Sequence, residues 1–174
     1  ITYAAPTLPS WLNFNADTGI LSGTPTNSEV GTHSVVLRAT DASGSVDTQS
    51  FAVTVSNVND APMVTSTALT STNEDSAYSY TFAASDVDSG DTITYAATTL
   101  PSWLNIDATT GVLSGTPTNS EVGTHSVFLT ATDASGSVDT QSFTVTVSNV
   151  NDTPTVTSSA ITAGTRGGAY SYTF

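Results

Sequence analysis

The sequence predicts an all-β chain made of tandem Greek-key β-sandwiches, with about seven strands in each 92-residue repeat. Three observations predict it. The composition is dominated by Thr, Ser, Val, Ala and Asp, with no Lys and little Leu or Glu, which favours strand and turn over helix. Apolar residues alternate with Ser and Thr at period two and never at helical spacing. The third observation is an internal repeat of sandwich size.

Residues 1–60 match residues 93–152 with eight differences, at positions 6, 14, 15, 17, 20, 36, 38 and 52, so Trp11 falls on Trp103 and Asp60 on Asp152. Residues 61–82 match 153–174 at the same offset of 92, more loosely. The chain therefore divides into the C-terminal part of one repeat (1–60), a complete repeat (61–152) and the N-terminal strands of a further one (153–174). A period near 90 residues has the size of an immunoglobulin-like sandwich and is too long for a solenoid turn.

Within the complete repeat, Tyr78, Tyr80 and Phe82 lie on one face of a strand. So do Ile93 with Tyr95, Val127 with Leu129 and Ala131, and Phe143 with Val145 and Val147. This is the pattern of antiparallel strands with one face on a core and the other in water. Asp107–Gly111 reads as a hairpin loop with Gly where positive φ is needed, and Gly115-Thr-Pro117 ends the next strand. Trp103 and Leu104 are placed at one end of the core between two packed sheets.

Charge and composition exclude several functions. The 174 residues carry 15 acidic side chains against Arg38 and Arg166, for a net charge of −13. Nucleic acid is not an expected partner, because phosphate binding needs a basic face. Without Lys there is no amine for an isopeptide crosslink, and without Cys no disulfide, so packing and bound ions must stabilise the fold. No apolar run has the length to span a bilayer, and the opening ITYAA is not a secretory leader, so the sequence reads as an excerpt. No Gly-x-Ser-x-Gly elbow, phosphate loop or His-Glu-x-x-His occurs, and no catalytic residue is expected.

The stretch LPSWLNIDATTGVLSGTP, whose near-copy begins at Leu8, resembles the signature of dystroglycan-type cadherin-like and immunoglobulin-like repeats of bacterial surface and secreted proteins. The end of the repeat, VFLTATDASGSVDTQSFTVTVSNVNDTP, is similar to the last two strands and linker of cadherin repeats. The resemblance covers the whole chain. It implies an extracellular, adhesive or filament-forming parent with Ca²⁺ held between successive domains by acidic residues from separate segments.

At the first junction the implied ligands are Glu29 of Asn27-x-Glu29, Asn57, Asn59 and Asp60 of the linker, Asp86 and Asp88 of Asp-Val-Asp, and Asp133. At the second they are Glu121 of Asn119-x-Glu121, Asn149, Asn151, Asp152 and the early-strand Glu74. Ca²⁺ takes six to eight oxygen ligands, more than any one short loop here supplies, so the side chains must converge. Asn replaces Asp at several of these positions, and Arg166 and Gly167 replace Glu74 and Asp75 in the third partial repeat, which points to weak binding, at ~10⁻⁴ to 10⁻³ M.

Other readings accompany this one. Any single surface Asp or Glu is by default a solvated turn residue. Trp11 and Trp103 offer an alternative function, as stacking platforms of a polysaccharide-binding module at the cell surface. His33 and His125 recur in Gly-Thr-His-Ser and are expected to be exposed. The partners expected are neighbouring repeats, a surface glycan, or a second copy joined head to tail through residues 153–174 by strand complementation.

Overall fold

In the computed structural model, which describes residues Ile1–Phe174, the alternating stretches up to Ser148 become β-strands. The complete repeat holds nine of them: β6 (Met63–Val64), β7 (Ser71–Asn73), β8 (Tyr78–Thr81), β9 (Ala84–Ser85), β10 (Thr94–Thr99), β11 (Leu104–Ile106), β12 (Val112–Gly115), β13 (Gly123–Thr132) and β14 (Val138–Ser148). One sheet has the order β10-β13-β14-β7, with β7 parallel to β14. The facing sheet is β11-β12-β8, and β6 pairs with β9 as a short flap. Between β10 and β13 the chain crosses to the second sheet and back, as the Greek-key expectation requires.

The seven-strand plan appears as nine segments because the first strand breaks into β6 and β7, and β9 continues β8 after Phe82 and Ala83. The amides of Thr65 and Ser66 both donate to the Ala83 carbonyl, which bends the chain, so β6 pairs with β9 and β7 moves to the edge of the other sheet. The core lies where the alternation places it. Tyr78, Tyr80, Phe82, Leu104 and Leu113 from one sheet meet Val127, Leu129, Ala131 and Val145 from the other, all buried. The buried tyrosines keep partners for their hydroxyls: Tyr78 donates to the Leu69 carbonyl at 2.7 Å and Tyr80 to the Gln141 side-chain oxygen at 2.7 Å. Burial pushes the Tyr78 hydroxyl up to about 12.

Residues 1–60 repeat half of this plan. They form the sheet β1 (Thr2–Thr7), β4 (Gly31–Thr40) and β5 (Val46–Val55), with the hairpin β2 (Leu12–Asn15) and β3 (Ile20–Gly23) facing it. Strand pairing matches that of the complete repeat position by position; Val35 lies opposite Phe51 as Val127 lies opposite Phe143. The last strand ends at Ser148. In the complete repeat the segment equivalent to residues 153–174 is held by β9, β12 and β14.

Candidate functional site

The site is built at the boundary near Asp60, where a linker, a turn and two loops meet. The linker follows β5, and its Asn59 amide donates to Asp133 at 2.8 Å and Ser137 at 3.0 Å. Asp133 sits in the tight turn after β13, where its other oxygen takes the Ser137 amide at 2.7 Å. These bonds, with Asn59 the largest cause, hold the Asp133 carboxyl below its ordinary range, and its side chain is only 5% exposed. From the preceding repeat, Asn27 donates to Asp60 at 2.7 Å and to Asp88 at 3.4 Å. Asp88, 7% exposed, also accepts the Asp60 amide at 2.8 Å. Asp60, Asp88 and Asp133, from three separated segments, are thereby tied to one linker through Asn27, Asn59 and the Asp60 amide.

Sequence reasoning missed one member of this cluster. Asp91 follows Asp86 and Asp88 in a tight bend, and the three offer oxygen atoms lying within 4.8 Å of one another. Asp91 also accepts the Ala134 amide at 3.2 Å, which ties the bend to the turn that carries Asp133. The D-x-D-x-x-D spacing of residues 86–91 was the available signal. One oxygen of Asp86 is buried with no hydrogen-bond partner. A buried carboxylate oxygen without a donor, among like charges, is costly unless a cation compensates it.

Other predicted residues are placed differently. Glu29 closes a capping box on a single 3₁₀ turn, Asn27–Glu29, where it accepts from the Thr26 amide at 2.8 Å, the Thr26 hydroxyl at 2.7 Å and the Ser28 hydroxyl at 2.7 Å. Those hydroxyl and amide donors lower its carboxyl to about 2. The turn was not foreseen, although Thr26-x-x-Glu29 is a capping-box signature. Asn57 is exposed and outside the hydrogen-bond network.

At the second boundary Asn119 is hydrogen-bonded to Asp152, and Glu121 caps its turn through Thr118. Asn151 donates to the Asp152 carbonyl at 3.2 Å, and Asn149 is exposed. Glu74 is 1% exposed, accepts the Val150 amide at 2.5 Å and keeps its second oxygen buried and unpartnered. The donor sets of both boundaries are therefore oxygen-only and anionic, with orphaned buried carboxylate oxygens, which is the chemistry a hard divalent cation fits.

The residues at the core's end are less available than expected. His33 and His125 are half-buried and donate through Nε2 to the carbonyls of Glu29 and Glu121, each at 2.6 Å. They are corrected from exposed to structural. Each packs edge-on to a tryptophan, and Trp103 also meets the Tyr78 ring edge-on at 5.7 Å.

Similarity to known proteins gives the family and the fold. The family model described as "Putative Ig domain" (He_PIG) matches residues 1–56 and 61–148. The chain belongs to that family. The chain is 33% identical over 162 residues to the "Serine-rich adhesin for platelets" of Staphylococcus aureus strain MRSA252, covering 93% of this chain and 12% of the adhesin. Among solved structures, the Protocadherin GammaB4 extracellular domain superposes with a TM-score of 0.58 at 20% identity, over 84% of this chain and 27% of the other, and shows the shared cadherin-like fold. An endo-fucoidan hydrolase of glycoside hydrolase family 107 shares 28% identity over 86% of this chain and 24% of its own, but its TM-score of 0.47 gives it no weight for activity. The chain is thus an immunoglobulin-like tandem repeat with a cadherin-like fold, and it spans a small fraction of the adhesin relative's length.

Proposed function

We propose that this chain is a non-enzymatic, extracellular spacer-adhesive segment of a larger surface or secreted protein, and that Ca²⁺ stiffens its junctions. The functional boundaries in this reading are 1–60, 61–152 and 153–174. The observation that carries it is the convergence of Asp60, Asp86, Asp88, Asp91 and Asp133 across the first boundary, with one Asp86 oxygen buried and unpartnered. Asn27 and Asn59 lock the linker to both sides of that cluster. Asp86, Asp88 and Asp91, with Asp60 and Asp133 beside them, would hold the ion, while Glu29 stays in its cap. A bound Ca²⁺ supplies positive charge that offsets carboxylate repulsion and makes the relative position of two sandwiches a single state.

At the second boundary Glu74, Asn119 and Asp152 would serve in the same way with ligands from a following repeat. Surface location agrees with the adhesin relative, and no helix of the chain is long and apolar enough to cross a membrane. Partners in this reading are neighbouring repeats and further copies of the chain. The polysaccharide reading lacks a supporting observation: Trp103 is half-buried and packs edge-on with Tyr78 and His125. Calorimetric titration of the 174-residue chain with CaCl₂ tests the proposal. It requires binding heat that is lost on the double substitution Asp86→Asn/Asp88→Asn; no heat at millimolar calcium would sink it.

A further inference from the structure

The first and last strands of the complete repeat are joined in a parallel seam that is longer than their strand pairing. β7 runs beside the end of β14 with Ser71 opposite Thr146, Thr72 opposite Val147 and Asn73 opposite Ser148, an offset of 75 positions in each case. The same offset continues upstream, where the backbone of β6 pairs with β9 instead. There Asp139 accepts the Val64 amide at 2.8 Å and the Gln141 side-chain amide donates to the Ser66 carbonyl at 2.8 Å, each pair again 75 positions apart. Downstream, the Glu74 amide donates to the Ser148 carbonyl at 3.0 Å and the Glu74 side chain accepts the Val150 amide at 2.5 Å. One register thus holds from Val64 to Glu74, kept by side chains where the first strand breaks and by backbone where it does not.

The side-chain part of the seam is anchored in the core. Gln141 is fixed at both ends of its carboxamide: the nitrogen bonds Ser66, and the oxygen accepts from the Tyr80 hydroxyl at 2.7 Å. That hydroxyl lies 2.8 Å from the Ser66 hydroxyl, which accepts the Ala83 amide at 2.9 Å. Val64, Ser66 and Gln141 are half-buried and Tyr80 is 7% exposed. A hydrogen bond away from water finds no replacement partner as it opens, so opening it costs more than opening an exposed one.

The direction of pull gives the seam its consequence. The chain enters the repeat just before Val64 and leaves it just after Val150, so tension along a tandem array draws the two segments apart from opposite ends. Because the segments are parallel, that tension slides one along the other and loads all of their bonds together. In an antiparallel hairpin such as β13 and β14, a pull on the two free ends opens the bonds one after another.

We propose that this seam is the tension-bearing element of the repeat, and that Asp139 and Gln141 carry the load across the break between β6 and β7. The core between the two sheets then meets force only after the seam has failed. The inference takes from the spacer reading only the direction of the pull, and it needs neither calcium nor a partner.

Force-clamp measurements on the 174-residue chain, in EGTA, test it. The chain has no cysteine, so a pair of introduced cysteines gives unique handles. Met63→Cys with Thr153→Cys pulls along the seam, whereas Met63→Cys with Val138→Cys opens the same bonds from one end, and all three positions are exposed. At equal load the folded repeat should last on the order of a hundredfold longer in the first geometry, because several bonds must break together. With the first pair of handles, Asp139→Ala and Gln141→Ala should each shorten that lifetime by about tenfold. Leu113→Ala, in the core and off the seam, should shorten it less than either while lowering the melting temperature more. Melting transitions report that each variant is folded. Equal lifetimes in the two geometries overturn the proposal, and so do Asp139→Ala and Gln141→Ala lifetimes that match the unsubstituted chain. With calcium chelated throughout, these outcomes stand whether or not the junctions bind the ion.

Discussion

Asp88 receives the Asp60 amide and the Asn27 side chain and lies beside Asp86 and Asp91, so its charge belongs to the cluster as much as to its own turn. Replacing it by Asn removes a ligand and some repulsion together. In the calcium reading, a ligand at one hundred times its Kd stabilises the native state by about 2.7 kcal/mol. Asp88→Asn should abolish most of that calcium-dependent rise in Tm while leaving the melt in EDTA unchanged or higher; equal calcium shifts in both proteins would argue against Asp88 as a ligand. Glu29 makes the opposite kind of prediction. Its carboxyl is depressed from 4.5 to about 2 by the hydroxyls of Thr26 and Ser28 and the Thr26 amide. A depressed carboxylate stabilises the fold fully above its unfolded value, and this contribution fades as pH falls from about 4.5 through about 2. Thr26→Ala should move the Glu29 titration upward in a carboxyl-detected NMR pH series, and an unmoved midpoint would show that the capping box does not control it.

At the scale of elements, the two copies of one hairpin form a controlled comparison. Leu113 on β12 is fully buried beneath Tyr80, its partner in register, whereas Leu21 on β3 is half-buried with no strand on that side. Leu113→Ala should cost about 2–5 kcal/mol in urea denaturation followed by Tyr78 and Trp103 environment, and Leu21→Ala clearly less. Similar costs would mean that the two leucines are equally enclosed in solution. The alternation predicted both strands because period two is a local property of the backbone. It did not predict that the first strand of the repeat splits into β6 and β7, because the break depends on two amides sharing the Ala83 carbonyl, in the link between β8 and β9.

For the whole molecule, the decisive variable is the angle between successive sandwiches. The direct links across the first boundary are side-chain and linker hydrogen bonds of Asn27, Asn59 and Asp60. Carboxylates repel across that joint unless a cation screens them. Small-angle scattering of the 174-residue chain should show one elongated shape in calcium and a broader spread of shapes after chelation. A profile unaffected by EGTA would place the stiffness in the hydrogen bonds alone. Adding 1 M NaCl in EGTA should recover part of the ordered shape, since the Debye length falls to about 3 Å.

The sequence by itself determined the repeat, the faces of the strands, the turn at Gly111 and the identity of the core, because each depends on residues a few positions apart or on a copy 92 positions away. It also singled out the Asp-rich linker and loops that meet at the first boundary. Only the tertiary structure decided how the acidic groups divide their work. Glu29 turned out to be held by its own cap, Asp91 joined the cluster, and Asn59 reached across 74 positions to Asp133. The physical reason is that a carboxylate's role is set by the donors and charges around it in space, and those come from segments whose meeting no local pattern encodes.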